Sequence, residues 1–258
     1  MSYRFAVLGD PVEHSRSPQL HGAMLDIAGL EGTYEKVRAD ESVLATAVEG
    51  LRKGEWDGLN ITMPLKAEAA RLADTLSATA ARSGSVNTLL RAGEQISGES
   101  TDSVAFNEIL QLPRFDERTS VLVLGTGGSA AAALAALGDE PNVYVSGRNE
   151  GKVEGLSSRL GGDPVGWGSA VAGALVINAT SLGMGDETLP TGVLELASGL
   201  VDLPYGAQET PAVTSAKALG LALVDGHEFL LRQALASFAL WTGVSLSLET
   251  LSTRLRNT

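Results

Sequence analysis

The 258-residue chain carries 31 acidic against 19 basic residues, a formal net charge of −12, and is 44% hydrophobic. That length and apolar content suit one large or two modest domains with a full core, and the acidity excludes nucleic acid and anionic membranes as general partners. The absence of cysteine excludes disulfides and thiolate chemistry, and His14, His21 and His227 are too scattered to form a metal motif.

The opening Met1-Ser-Tyr-Arg-Phe-Ala-Val-Leu8 has too short an apolar core for a secretory leader, and no run is apolar enough to span a bilayer, so a cytoplasmic protein is expected. Phe5 to Gly9 reads as a buried strand, followed by a polar loop to Pro18. Proline suits the first helical position, which makes Ser17 the natural N-cap of a helix running to Gly29. A strand at Thr33 to Val37, a helix at Ser42 to Arg52 and a strand at Gly58 to Ile61 follow. Thr62-Met-Pro-Leu-Lys66 then leads into a helix through about Ala73. This strand–helix alternation predicts a parallel sheet. Val86 to Arg91 and Gln95 to Gly98, joined through Gly93, read as a hairpin closing this half.

A helix from Ser103 to Leu110 and a polar link lead to the most informative stretch, Thr119-Ser-Val-Leu-Val-Leu-Gly-Thr-Gly-Gly-Ser-Ala130. Val121 to Leu124 has the composition of a buried parallel strand, and Ala131 to Leu137 is strongly helix-prone. Between them Gly125-Thr126-Gly127-Gly128-Ser129-Ala130 matches a dinucleotide fingerprint in the strand–turn–helix context that gives it weight. Gly125 permits the tight turn, Gly127 lets backbone approach a pyrophosphate, and Ala130 keeps the helix close to the sheet. An ordinary strand–helix connection is the alternative.

The second strand of that unit, within Asn142 to Asn149, ends where an adenosine ribose should lie. An NAD site usually places an acid there; this chain has Arg148, with Lys152 a turn further on. A guanidinium stacks on adenine and pairs bidentately with a 2′-phosphate, which predicts NADP. A helix at about Lys152 to Leu160, a short Pro164–Trp167 strand and a strand at Ala174 to Asn178 come next. Strands at Gly199 to Leu203 and Leu221 to Val224, flanking a helix at Thr210 to Leu219, complete the sheet; from Gly226 on the chain reads as helical. Phe229, Leu230, Gln233, Ala234, Phe238 and Trp241 recur at three- and four-residue spacing and mark one helix face.

Five polar clusters stand at strand ends or first helical turns: Ser15/Ser17, Asn60-x-Thr62-x-x-x-Lys66, Asn87-Thr88, Thr101-Asp102 and Gln233. Each has a plainer role open to it. Ser17 and Asp102 suit N-caps, Asn87 suits a turn, and Lys66 suits a solvated helix face. Gln233 on an apolar face is the exception, because a buried amide needs partners.

Taken together these motifs resemble the shikimate dehydrogenase family over essentially the whole chain. The resemblance is carried by Gly9-Asp-Pro-Val-Glu-His-Ser-Arg-Ser-Pro18, Asn60-Ile-Thr-Met-Pro-Leu-Lys66, Val86-Asn-Thr88, Thr101-Asp102, the glycine loop, Ile177-Asn-Ala-Thr180, and Gln233 with Trp241-Thr-Gly243. It implies NADPH-dependent, reversible reduction of 3-dehydroshikimate to shikimate, a step of aromatic amino-acid biosynthesis, by a monomer or homodimer whose partners are small molecules. It implies two α/β domains separated by a cleft: a parallel-sheet substrate domain of residues 1–102 plus 226–258, and a Rossmann NADP-binding domain of residues 103–225. Lys66 and Asp102 are the implied catalytic pair. Ser15, Ser17, Asn60, Thr62, Asn87, Tyr205 and Gln233 are the implied substrate contacts. Gly125, Gly127, Gly128, Ser129, Ala130, Arg148, Asn149, Lys152, Thr180, Met184 and Gly226 are the implied cofactor contacts, with no metal.

The chain departs from the family pattern at three places. Ser100 precedes Thr101-Asp102 where asparagine is usual; Gly147-Arg148-Asn149 keeps only the arginine of the cofactor phrase; and Gly226-His-Glu-Phe-Leu230 puts Glu228 and Phe229 where they are expected to reshape the nicotinamide pocket. A quinate- or aminoshikimate-type dehydrogenase and a non-catalytic metabolite or nucleotide sensor are the competing expectations. The paired serines favour shikimate over quinate, and the retained Lys66 and Asp102 favour catalysis over sensing.

Overall fold

The computed structural model describes residues 2–256. The chain divides into two compact units: one runs to Val104 and resumes at Leu231, and the other is Ala105–Leu230.

The first unit contains β1 (Ser2–Gly9), α1 (Ser17–Ala28), β2 (Glu31–Arg38), α2 (Glu41–Lys53), β3 (Gly58–Ile61), α3 (Lys66–Leu72), β4 (Thr75–Leu76), α4 (Ala78–Ser83), β5 (Thr88–Ala92) and β6 (Gln95–Glu99). Its strands form one sheet in the order β2-β1-β3-β5-β6-β4. β1 pairs parallel with β2 and β3, but β5 runs antiparallel to both β3 and β6. The sheet is therefore mixed, because the hairpin inserts its first strand beside β3. Local chemistry sets the helix ends: the Asp40 carboxylate accepts from the Ser42 and Val43 amides, and Gly54 closes α2 in the left-handed region.

One core of this unit gathers Leu8, Leu44, Leu51, Leu59, Leu89 and Ile96. Elsewhere in it Phe5 stacks on Trp241 with ring centroids 4.6 Å apart, and His21 stacks on Tyr34 at 4.3 Å. His21 is fully buried and neither ring nitrogen has a hydrogen-bond partner. Burial pushes its imidazole down to about 3.

The second unit holds most of α5 (Thr101–Leu110), then β7 (Ser120–Leu124), α6 (Gly128–Leu137), β8 (Val143–Ser146), α7 (Glu150–Leu160), β9 (Asp163–Val165), β10 (Ala174–Asn178), β11 (Gly199–Asp202), α8 (Pro211–Ala218) and β12 (Ala222–Val224). Its sheet is all parallel, in the order β12-β11-β10-β7-β8-β9. Chain progress reverses between the central neighbours β7 and β10, which makes their carboxyl ends the topological switch point where such sheets bind ligands. Phe106, Val121, Val123, Leu134, Ile177 and Phe229 share its main core. The chain ends in α9 (Gly226–Thr242) and α10 (Leu248–Arg256). No helix among the described residues is long and apolar enough to cross a membrane.

The structure corrects several expectations. β4 and α4 lie in a stretch without a strong apolar period, although Ser77, which caps α4, and Gly84, which ends it, were the available signals. The strand expected at Pro164–Trp167 is Asp163–Val165. The terminal helical region is broken at Gly243, whose φ is +72°. Ser17 is the first helical residue rather than the cap: Arg16 holds the N-cap position and no side chain caps α1.

Candidate active site

In the first unit, the polar cluster is built where strands end. β1 and β3 are neighbours in register, Leu8 opposite Ile61, so the loops that follow them leave the same end of the sheet. The two are tied by the Asp10 amide donating to the Met63 carbonyl at 3.0 Å and the Thr62 amide to the Leu8 carbonyl at 2.8 Å. The first loop carries Ser15 and Ser17, whose hydroxyls are 3.1 Å apart with Ser15 donating. The second carries half-buried Thr62 and delivers Lys66 as the first residue of α3.

Lys66 Nζ lies 2.5 Å from Asp102 Oδ2, with side-chain exposures of only 15% and 6%. Asp102 stands in the first turn of α5, where the helix dipole favours an acid. Lys66 opens α3, where the dipole opposes a cation, and the carboxylate offsets that cost. Asn87 organises the pair. Its Nδ2 donates to Asp102 Oδ1 and to Thr101 Oγ1, each at 2.9 Å, and its Oδ1 accepts from the Thr101 amide at 2.7 Å. The Val86 amide donates to the Lys66 carbonyl at 3.0 Å, which keeps this strand entry beside the lysine. Gln233, buried on α9, presents Oε1 at 3.4 Å from Asn87 Nδ2.

Asn60 completes the network from β3. Its Nδ2 donates to the Asn87 carbonyl and to Thr88 Oγ1, both at 3.1 Å, while its Oδ1 accepts from the Tyr34 hydroxyl at 2.7 Å. Thr88 and Thr101 hydroxyls pair at 3.0 Å. Lys66, Asp102, Asn87, Asn60 and Gln233 are thus brought together, and neither Asn87 nor Asp102 plays the turn or capping part open to it. Both amide hydrogens of Asn60 are committed within the protein. Tyr34 is the member that sequence reasoning missed; its only signal was a tyrosine in an otherwise polar, alternating strand.

The arrangement has definite chemistry. A primary ammonium, held by a carboxylate among buried amides and hydroxyls, can deliver a proton to an oxygen that gains negative charge and stabilise that charge meanwhile.

In the second unit, the turn after β7 packs tightly. Gly125 has φ of +119°, and a Cβ there would stand 2.7 Å from the Ala179 carbonyl oxygen, so only glycine fits. Space around the Gly127 Cα is open, and no side chain caps α6 or places an acid in its first turn. Gly128 and Ser129 open the helix and Ala130 is fully buried. This is a suitable seat for a pyrophosphate. Arg148 and Lys152 are exposed beyond β8. Asn149 has a role of its own, capping α7 by accepting from the Lys152 amide at 2.9 Å.

Thr180 follows β10 and donates from both its amide and its hydroxyl to Asn178 Oδ1, at 3.2 and 2.6 Å. Met184 is 54% exposed on the same loop. Gly226 is buried against the Leu203 and Pro204 carbonyls, and Tyr205 packs on His227 with centroids 5.7 Å apart. The departures near Gly226, Glu228 and Phe229, each have a partner in the second unit. Phe229 is buried against Phe106 at 4.8 Å, and Glu228 pairs with Arg114 at 2.6 Å. No cluster of potential metal ligands occurs among the described residues.

Residues 7–89 match the family described as shikimate dehydrogenase substrate binding domain. The chain is 36% identical over 249 residues to the NADP(+) shikimate dehydrogenase of Gluconobacter oxydans, covering 92% of this chain and 89% of that one. It is 35% identical to the Thermus thermophilus enzyme of the same name, with 93% of each chain covered. Among solved structures, the Thermus thermophilus shikimate 5-dehydrogenase in complex with NADP(H) and shikimate superposes with a TM-score of 0.88 at 34% identity, over 99% of both chains.

Proposed function

The chain belongs to the shikimate dehydrogenase family, and we propose that it reduces 3-dehydroshikimate to shikimate with NADPH, Lys66 and Asp102 acting at the reacting carbon. The observation that carries this is the nearly buried Lys66–Asp102 pair, locked by Asn87.

As hydride reaches the ketone carbon, the carbonyl oxygen becomes an alkoxide. Lys66 stabilises that charge and donates the proton, while Asp102 orients the ammonium and accepts from a substrate hydroxyl. In the oxidative direction the same pair removes the proton. Ser15 and Ser17 are compact donors for the substrate carboxylate, with Tyr205 as a further hydroxyl, and Thr62, Asn87 and Gln233 recognise ring hydroxyls. A site built to hydrogen-bond each hydroxyl rejects analogues that lack one. Asn60 acts from behind, holding Asn87 and Thr88. The unit that includes β1 to β6 is the substrate domain, and Ala105–Leu230 the NADP domain.

On the cofactor side, NADP supplies and accepts the hydride. The α6 N-terminus receives the pyrophosphate, Arg148 and Lys152 receive the 2′-phosphate, and Thr180, Met184 and Gly226 border the nicotinamide end. The test is absorbance of reduced nicotinamide with shikimate as substrate. NADPH should form rapidly, with NAD much slower. Absence of turnover with both cofactors, or quinate turnover at least equal to that of shikimate, would overturn the assignment.

A further inference from the structure

Asp202 ends β11 with no solvent exposure, and no basic side chain is among its hydrogen-bond partners. Its two oxygens are divided. Oδ1 accepts from Asn178 Nδ2 at 2.6 Å, and Oδ2 accepts from the Thr210 hydroxyl at 2.5 Å. A carboxylate only accepts, so it dictates which end of the Asn178 amide faces it. The nitrogen must turn to Asp202, which leaves Asn178 Oδ1 for the amide and hydroxyl of Thr180. Asn178 Nδ2 also donates to the Leu182 carbonyl at 3.1 Å, and the Leu182 amide donates to Thr180 Oγ1 at 3.1 Å. One amide orientation therefore shapes the whole turn after β10.

That turn lies at the switch point. The Ala179 carbonyl sits 2.7 Å from where a Gly125 Cβ would be, so the loop is packed directly on the glycine turn. On its far side Gly183 abuts Thr210, the residue that caps α8 through the Val213 amide. We propose that Asp202 is a positioning residue for the dinucleotide: its carboxylate sets the Asn178 amide, which holds residues 179–183 against the Gly125 turn. The proposal rests on the NADP assignment above and extends it to an acid that touches neither cofactor nor substrate.

The experiment is NADPH binding to the full chain, followed by cofactor fluorescence without shikimate, together with KM for NADP and for shikimate. Asp202→Leu keeps the forked outline, with bulkier branches, but removes the acceptor. It should weaken NADPH binding and raise KM for NADP by about tenfold or more, a loss of about 1.4 kcal/mol, with KM for shikimate changed far less. Asp202→Asn retains an acceptor for Asn178 and should recover most of that loss. Thr210→Val removes the hydroxyl on Oδ2 together with the α8 cap; it should weaken NADPH binding severalfold with KM for shikimate little changed, and serves if the leucine variant fails to fold. Unchanged NADPH binding in these variants, or an equal rise in both KM values with no recovery by asparagine, would overturn the proposal. Because binding is read without substrate, a wild-type protein that binds NADPH but does not oxidise shikimate would sink the reaction assignment alone, and the Asp202 comparison would still decide the positioning role.

Discussion

The Tyr34 hydroxyl donates to Asn60 Oδ1 at 2.7 Å, and that bond fixes the direction in which the Asn60 amide points. With its oxygen turned toward β2, Asn60 must send both hydrogens to Asn87 and Thr88. From there the bonds continue through Thr101 to Asp102 and Lys66. Tyr34 itself is held by the His21 ring stacked 4.3 Å away. The lysine is thereby positioned by a residue on the neighbouring side of the sheet.

Tyr34→Phe keeps the stacked ring and removes only the donor. It leaves a buried amide oxygen short of a partner, which costs about 1–3 kcal/mol. KM for shikimate should rise while KM for NADP holds. Steady-state kinetics with each substrate varied in turn checks this, and a shift confined to NADP would remove Tyr34 from the substrate network.

Lys66→Met should lower kcat by at least about 10²-fold while shikimate still binds. It should also destabilise, because a nearly buried Asp102 loses its cation, a change worth about 3–5 kcal/mol for a buried pair. The Lys66→Met/Asp102→Asn double variant separates the two effects. It should regain stability, since a neutral amide still accepts from Asn87, and remain inactive. Urea unfolding beside the turnover assay reads both; near-normal turnover in either variant would exclude Lys66 from proton transfer.

Much of this was legible in the chain itself, for identifiable physical reasons. The run from Val121 to Ala130 announces its strand, turn and helix because glycine chemistry and apolar runs are local signals. Asp40 and Gly54 mark α2 in the same way. Lys66, Asn87 and Asp102 stand out as polar residues at element ends. Tyr34 and Asp202 do not, because their roles depend on partners 26 and 24 residues away, Asn60 and Asn178. The helix period marks Phe229 as part of a buried face, but its partner Phe106 lies far off in sequence and is not legible from that period. The antiparallel β5 was visible only as half of a hairpin, and its insertion beside β3 is a tertiary choice.

Arg148→Ala should raise KM for NADP with little effect on NAD, because a 2′-phosphate is the feature that only NADP offers the guanidinium. Asn149→Ala supplies the contrast. Its side chain caps α7, so its loss should cost about 1 kcal/mol of stability, with no comparable discrimination between the cofactors. Kinetics with both cofactors, paired with thermal unfolding, distinguishes the roles. Equal effects of Arg148→Ala on NADP and NAD would refute the 2′-phosphate assignment.

His21 and Asp202 make the stability of this chain depend on pH in opposite senses. Burial lowers the His21 imidazole from 6.5 to about 3, so between those values the unfolded chain takes up a proton that the native one refuses. Its contribution is complete above about pH 6.5 and is lost as pH falls toward 3. Burial raises Asp202 from 3.8 to about 6, against the Thr210 and Asn178 hydrogen bonds and with Asp225 adding repulsion. Here the native state holds the extra proton, so the contribution is complete below 3.8 and is lost as pH rises through about 6. His21→Phe keeps a ring against Tyr34 and removes two buried, unpartnered nitrogens; its gain over wild type should be largest near pH 4 and shrink toward neutrality. Asp202→Asn should compare worst with wild type near pH 4 and improve as pH rises. Urea unfolding of the three proteins from pH 4 to 7 measures both differences. Slopes of the same sign, or flat ones, would mean that one of these two groups titrates in the native state much as it does when exposed.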